Sequence, residues 1–221
     1  MSEPSLPTKE RILGVACDIF GQAGFKDATI RRIAKEAGVN IAAINYHFRD
    51  KEGLYGAVLE EVFRTGFTRF PANMGLPPGA DPRERLRAFI RAMFYRLQSG
   101  EGWGGISGRG RLIARELLDP SPAFEAVLDR YIKPHKDLLT AIIVDIIEIN
   151  PSRELLLPCA ISIIGQCIYY AFASAVIGKI SEGDLPNEAN LDRLADFVWR
   201  FSLGGIEAIK RQIILSAKDS P

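Results

Sequence analysis

The apolar residues of the chain recur mostly three and four positions apart. Between Thr8 and Ala23 this spacing places a stripe along one face: Ile12, Leu13, Ala16, Ile19, Phe20 and Ala23. Such a stripe is typical of an amphipathic α-helix that packs against a core. The sequence contains no long alternation of apolar and polar residues and no internal repeat. We therefore predict an all-α protein.

Short polar side chains divide the first part of the chain into helical segments. Four of them precede helical patterns and can cap a first turn by accepting a backbone hydrogen bond: Thr8, Thr29, Asn40 and Asp50. Gly24 and Gly38 follow the first two patterns, as glycine often does at the end of a helix. The predicted helices run over about 8–23, 29–37 and 40–48, and a fourth begins at Lys51.

Further helical patterns follow a loop rich in proline and glycine between Phe70 and Asp81. They predict helices over about 82–98, 108–118, 121–149, 152–179 and 187–217. Pro134 lies inside the third of these and should kink or split it.

The spacing around Gly38 predicts a helix-turn-helix, with a shared core formed by Ile30, Ile33, Ala34, Ile44 and Phe48. Gly38 supplies a positive φ at the turn, and Val39 fills the angle between the helices. A plain helical hairpin within a bundle is the alternative. The small residues Ala42 and Ala43 favour a DNA-binding role, because they let the third helix lie deep in a major groove.

Two runs of sequence at this point resemble a known family. TIRRIAKEAGVNIAAINYHFRDKEGLY, from Thr29 to Tyr55, is similar to the DNA-binding signature of the TetR family of bacterial repressors, and ILGVACDIFGQAGFKDAT before it resembles the same family's first helix. ARELLDPSPAF and SIIGQC, further along, resemble the C-terminal domain of the CecR-like subgroup. The resemblance implies a DNA-binding domain over 1–54 and a larger helical domain over 55–221 that binds a ligand and forms a homodimer.

The resemblance also implies which residues contact DNA: Thr29, Arg31, Asn40, Ile41, Ala42, Ala43, Asn45, Tyr46, His47 and Lys51. Asn45 would read a base, since an asparagine amide can bond adenine through two hydrogen bonds. Tyr46, His47 and Lys51 would hold phosphates, which position the protein without reading the sequence. Residues 29–51 carry five basic against two acidic side chains, a larger excess than the net charge of +1 of the whole chain.

One long apolar run has two interpretations. Leu155 to Gly178 is 24 residues without a charge, long enough to cross a bilayer. Charges of both signs flank it, so no cytoplasmic side is defined. We favour a buried or dimer-interface helix over a membrane anchor. Trp199 and Phe201 would add bulk to a dimer seam formed by two long helices. Small residues would allow these helices to pack closely there: Gly165, Ala171, Ala175, Gly204, Gly205 and Ala208.

A ligand pocket is expected to be apolar with a few polar groups. The candidates are Phe94, Trp103, His135, Gln166, Cys167 and Tyr170. Ordinary core packing is the alternative for each, and Gln166 stands out because a lone amide in an apolar helix needs a partner. Gly100–Gly105 reads G-x-G-x-x-G, but a helix instead of a strand precedes it, so we expect a flexible loop or lid rather than a nucleotide site.

The remaining composition excludes several classes of function. Three cysteines cannot build a disulfide framework, and the first residues include no apolar signal segment, so we expect a cytoplasmic protein. No spacing of a metal site, cofactor site or catalytic motif is present, and we expect no cofactor, no metal and no enzymatic activity. The sequence predicts a regulator that an unknown small molecule releases from double-stranded operator DNA, without membrane attachment. The alternative is a membrane-anchored or constitutive DNA-binding protein without a ligand.

Overall fold

The protein was analysed as a computed structural model, which describes residues 7–105, 108–149, 151–182 and 188–218. These ranges contain eleven α-helices and no strand: α1 Thr8–Asp27, α2 Ile30–Glu36, α3 Ile41–Phe48, α4 Lys51–Arg69, α5 Pro82–Gln98, α6 Gly108–Leu118, α7 Phe124–Val127, α8 Lys133–Ile147, α9 Arg153–Phe172, α10 Ser174–Ile180 and α11 Leu191–Lys218. The prediction of an all-α protein is confirmed.

Three of the four predicted caps form. The side chains of Thr29, Asn40 and Asp50 accept hydrogen bonds from the backbone N–H groups of Arg32 (3.2 Å), Ala43 (2.7 Å) and Gly53 (2.7 Å). Thr8 is not a cap, because the helix already begins there, after Pro7, and no side chain caps it. The end predicted at Gly24 appears as a kink with φ +79°, after which one more helical turn continues to Asp27.

The C-terminal part follows the predicted segments, with three differences. The segment 121–149 is split into α7, a π-helical turn Leu128–Ile132 and α8, with Pro134 in the first turn of α8. The segment 152–179 breaks at Ala173 into α9 and α10. The last helix begins at Leu191, after a 3₁₀ turn Glu188–Asn190.

Helix α5 lies at the centre of the C-terminal part, where it packs against α8, α9 and α11. It buries apolar side chains on several sides, among them Leu86, Phe89, Ile90 and Phe94. The first helices join this assembly chiefly through α1, which packs on α6, while α4 contacts α1, α3, α5 and α7. One apolar core therefore continues from the helix-turn-helix into the C-terminal helices.

The contact between α1 and α6 is a backbone contact. A Cβ atom added at Gly21 would lie 2.2 Å from the carbonyl oxygen of Gly108, so only glycine fits there. Arg115 of α6 donates hydrogen bonds to the carbonyl oxygens of Gly21 (3.3 Å) and Gln22 (3.1 Å), near the kink of α1. The Tyr55 hydroxyl of α4 donates to the buried carboxylate of Glu116. Residues Arg115 and Glu116 of α6 thus join this helix to both α1 and α4.

Candidate DNA-binding surface and ligand-binding core

Helices α2 and α3 form the predicted helix-turn-helix. Gly38 has φ +62°, and the N–H of Val39 donates to the carbonyl oxygen of Ala34 (3.0 Å), which closes the turn. Of the five predicted core residues, Ile30 is only half-buried. The other four are buried: Ile33, Ala34, Ile44 and Phe48. These residues hold the inner faces of the two helices against α1 and α4.

The outer face of α3 is open to solvent. Ile41, Ala42, Asn45 and His47 are exposed, and Tyr46 is 85% exposed although it is a large aromatic residue. Ala43 is half-buried, and its N–H is bonded by the cap Asn40. The exposed row has the length of two helical turns, which is the size that enters a major groove.

The residues predicted to hold phosphates surround this row. The rings of Tyr46 and His47 meet edge to face, with centroids 5.1 Å apart. The ammonium of Lys51 lies at the first turn of α4, where it donates to the carbonyl oxygen of Lys26 (3.2 Å) and sits 4.5 Å from the centroid of the Phe25 ring. Arg31 is exposed on α2, next to the capping Thr29. All ten predicted DNA contacts lie on α2, on α3, in the first turn of α4 or at the N-caps of α2 and α3.

Four of the six predicted ligand residues, Phe94, Gln166, Cys167 and Tyr170, lie on the packed helices α5 and α9. Phe94 and Cys167 are fully buried, and the Tyr170 ring packs on Phe94 with centroids 5.7 Å apart. Gln166 has partners within the chain, because its amide donates to the carbonyl oxygen of Ser162 (3.1 Å) and to the hydroxyl of Ser202 (3.5 Å) on α11. Burial raises the pKa of the Cys167 thiol to about 12, which keeps it protonated and unreactive.

Trp103 and His135 belong to a second group of side chains around Phe67 of α4. The indole N–H of Trp103 donates to the carbonyl oxygen of Val62 (2.9 Å), and the His135 ring lies 4.0 Å from that of Phe67. Burial, followed by the positive charge of Arg96, lowers the pKa of His135 to about 4, so its ring is neutral and bonds the carbonyl oxygen of Tyr131 (2.8 Å).

Arg96, which was not among the predicted site residues, is 0% exposed and lies against the Phe67 ring of this group. The sequence indicates that Arg96 lies on the apolar stripe of α5, because it follows the buried Ala92 by four positions and the buried Phe89 by seven. A charged residue at a stripe position is a signal of an unusual buried site.

The glycine-rich segment after α5 is not the flexible loop or lid that we expected. Gly102 and Trp103 are buried, and the N–H of Gly105 donates to the carbonyl oxygen of Leu97 (2.7 Å). A Cβ at Gly110 would lie 1.4 Å from the carbonyl oxygen of Gly105, so the segment is packed against the start of α6. The glycines allow a close approach of backbones.

Of four clefts on the described surface, none is lined by any of the six predicted ligand residues. The larger two of these four, of about 580 and 510 Å³, lie where the first helices meet α6 and the glycine-rich segment. The described residues contain no group of three or more histidine, cysteine or acidic side chains placed to hold a metal ion.

A capped helix-turn-helix with a free second helix, carried on an all-α body, defines the class of helix-turn-helix DNA-binding proteins. Residues 12–58 match the bacterial regulatory proteins of the tetR family, and residues 82–206 match the C-terminal domain of the HTH-type transcriptional dual regulator CecR. The second match covers more than half of the chain, and the protein belongs to the TetR family of transcriptional regulators, with a CecR-type C-terminal domain.

Curated relatives match only parts of the chain. The dual regulator CecR of Shigella flexneri is 33% identical over 149 residues, which are 61% of this chain and 62% of that protein. The regulator BetI of Stenotrophomonas maltophilia is 30% identical over 86 residues, which are 39% of this chain and 43% of that protein. The chain thus matches less than two thirds of the length of either relative.

Solved structures share the fold over nearly the whole chain. AibR, in complex with isovaleryl coenzyme A and operator DNA, has a TM-score of 0.64 and 20% identity, and the match covers 87% of this chain and 96% of AibR. A TetR-like regulator from Rhodococcus sp. RHA1 has a TM-score of 0.60 and 18% identity, with coverage of 93% and 99%.

Proposed function

We propose that the protein is a homodimeric repressor that binds a two-fold symmetric operator and leaves it when a small molecule binds the C-terminal part. Residues 1–54 supply the DNA contacts and 55–221 the ligand site and dimer face, and the protein acts by binding, without catalysis. The observation that carries the proposal is the exposed row on α3, held in place by the Asn40 cap below it. The relative AibR, crystallised with both an acyl coenzyme A and operator DNA, supports the response to a ligand.

A dimer face is supported by exposed apolar residues on two neighbouring helices. Leu157, Ile161 and Tyr169 follow each other along one side of α9, and Phe197 and Phe201 do so on α11. Cβ atoms added at Gly165, Gly204 and Gly205 would meet nothing within 4 Å, so these glycines lie on the open side. Two such helices from each of two chains form a four-helix interface.

Two residues that the sequence analysis placed at this seam lie elsewhere. Ala171 is fully buried within the chain. Trp199 faces α5, where its indole N–H donates to the carbonyl oxygen of Arg83 (3.0 Å) and the Arg87 guanidinium lies 5.3 Å from its ring centroid.

A membrane anchor remains the second candidate for the same surface. Among the described residues one helix, Arg153–Phe172, is long and apolar enough to cross a bilayer. Its most apolar stretch of 18 residues has a mean hydropathy of 1.8, and 28% of that stretch is buried. The folded packing of α9 against α5, α8 and α11 favours the dimer.

The test of DNA binding separates the base contact from the phosphate contact. Selection from a random duplex library should enrich a palindrome with half-sites about 34 Å apart or a multiple of it. Asn45→Ala should weaken the selected site by about 1–3 kcal/mol and relax the preference at one position. Lys51→Ala should instead weaken all duplexes alike and reduce the salt slope of binding by about one unit.

Asn73→Ala, in the loop before α5, is the matched control and should leave both quantities unchanged. Fluorescence anisotropy at several salt concentrations measures them. A library without enrichment would refute operator binding, and equal effects of Asn45→Ala and Asn73→Ala would refute base reading by α3.

A further inference from the structure

Arg96 is a buried cation that no acidic side chain of the described residues pairs. Within the same part of the chain its Nε and Nη2 atoms have no hydrogen-bond partner, and Nη1 has only the sulfur of Met93 at 3.9 Å. A sulfur atom is a weak acceptor, and arginine is almost never fully buried unless it is paired. An unpaired buried guanidinium carries a large desolvation cost, so its retention at this place calls for a reason.

The other arginines of α5 show what this residue lacks. Each of the four is paired with a carboxylate: Arg83 with Glu207, Arg85 with Asp145, Arg87 with Asp196 and Arg91 with Asp192. Arg87 holds both oxygens of Asp196 at 2.8 Å with its Nε and Nη2 atoms. Those are the same two atoms that have no partner in Arg96, and they form the edge of a guanidinium that matches a carboxylate.

One flat ring lies against the guanidinium of Arg96, and three others pack around that ring. Its Cζ atom lies 4.4 Å from the centroid of the Phe67 ring, and Phe67 in turn contacts Tyr131, His135 and Trp103 at centroid distances of 5.5, 4.0 and 5.8 Å. Phe67, Tyr131 and His135 are half-buried, so the ring cluster reaches the protein surface. The depressed pKa of His135, due partly to the charge of Arg96, agrees with a site in which no protein anion compensates that charge.

We propose that Arg96 anchors a small organic anion, a carboxylate with a flat apolar body, whose carboxylate bonds the Nε and Nη2 atoms while its body packs among these rings. This inference rests on the proposed function, since it names the chemical class of the ligand that releases the DNA. It also gives the ligand a mechanical connection to the DNA-binding helices. Phe67 belongs to α4, and the Tyr131 hydroxyl, in the π-helical turn, donates to Glu60 of α4 at 2.6 Å.

A change in the ring cluster therefore acts on α4, the helix that begins at Lys51 directly after α3. π-Helical turns occur frequently at functional sites, and this one places Tyr131 flat against Phe67. Ligand and operator then weaken each other's binding through α4, because linkage makes two sites that favour different states of one helix reduce each other's affinity.

The test compares anions with neutral molecules of the same shape. Benzoate, phenylacetate and hexanoate are titrated against benzamide, phenylacetamide and hexanamide, with the thermal unfolding midpoint and calorimetric affinity as readouts. At least one carboxylate should raise the midpoint and its amide should not. Arg96→Met should abolish that response and weaken binding about thirtyfold or more, while raising the midpoint without ligand, because it removes an unpaired buried charge.

Arg91→Met, on the same helix but paired with Asp192 at the surface, should keep the full response to the carboxylate. The inference is overturned if amides stabilise as well as carboxylates, if Arg96→Met responds like the wild type, or if no carboxylate of the panel binds. Operator affinity is measured separately without any probe. Operator binding without an anion effect refutes the anion site alone, whereas an Arg96-dependent anion effect without DNA binding refutes the repressor and leaves the site.

Discussion

His135 shows how strongly one side chain depends on its surroundings. It stands half-buried against Phe67 and faces the charge of Arg96, and both effects lower its pKa, to about 4. The unfolded chain holds a histidine near its ordinary pKa of 6.5. Between these two values the unfolded state therefore binds more protons than the folded state, so the free energy of unfolding decreases as the pH falls.

We expect the wild-type protein to lose stability between pH 7 and pH 5, and His135→Gln to lose less over the same range. Glutamine cannot titrate there, and its amide can still donate to the Tyr131 carbonyl. His47→Gln removes the only other histidine, an exposed one on α3, and should leave the wild-type slope in place. Urea unfolding at each pH measures the effect. Equal slopes for the wild type and His135→Gln would contradict the neutral, buried ring.

Single residues were predictable where their interactions are local. Thr29, Asn40 and Asp50 cap helices three residues away, so the sequence contains both partners of each hydrogen bond. The partner that Gln166 needs could not be named from the sequence, because Ser202 is 36 positions away. Arg96 was missed for a similar reason, since its lack of a partner depends on which acids the fold brings to α5.

At the scale of elements, two of the three glycines of helix α1, Gly14 and Gly21, differ only in their surroundings. Gly14 is exposed, and a Cβ atom there would meet nothing within 4 Å, whereas a Cβ atom at Gly21 would press into the backbone of Gly108. Both lie in helical conformation, so the helix propensity favours alanine equally at the two positions.

We expect Gly14→Ala to raise the free energy of unfolding by up to about 1 kcal/mol. Gly21→Ala should lower it by about 1–3 kcal/mol, because α6 must move to admit a methyl group. Chemical denaturation of both variants gives the comparison, with each serving as the control of the other. A stabilising Gly21→Ala would mean that α1 and α6 are further apart than the structure places them.

Helix boundaries were predictable where proline or glycine marks them, as for α5, which begins at Pro82, and for the split near Pro134. The break at Ala173 was not predictable, because neither proline nor glycine stands there. The close packing of α1 on α6 was also hidden, since Gly21 and Gly108 are far apart in the sequence.

At the scale of the whole molecule, the open apolar residues of α9 and α11 form the proposed dimer face. Phe201 is 67% exposed in the middle of the face on α11. An exposed face of this kind on a soluble protein usually marks an interface. Its composition alone did not distinguish a dimer seam from a membrane span, because both bury apolar side chains away from water.

Phe201→Lys should convert the dimer into a monomer, since it places a charge in the centre of the interface. Operator affinity should fall with it, because one recognition helix then binds alone. Leu118→Lys changes another large apolar residue, 87% exposed on α6, and should leave the dimer intact. Sedimentation in detergent-free buffer measures the mass. A wild-type chain that sediments as a monomer, or needs detergent to stay in solution, would contradict the dimer face.

The hydrogen bonds that Arg115 of α6 donates near the kink of α1 limit how regulators of this kind can be recombined. A hybrid that joins residues 1–54 to the C-terminal part of another protein would keep every predicted DNA contact and still lose the two hydrogen bonds that Arg115 donates to α1. Exchange of sensing modules, by recombination or by engineering, would then have to transplant α6 together with residues 1–54.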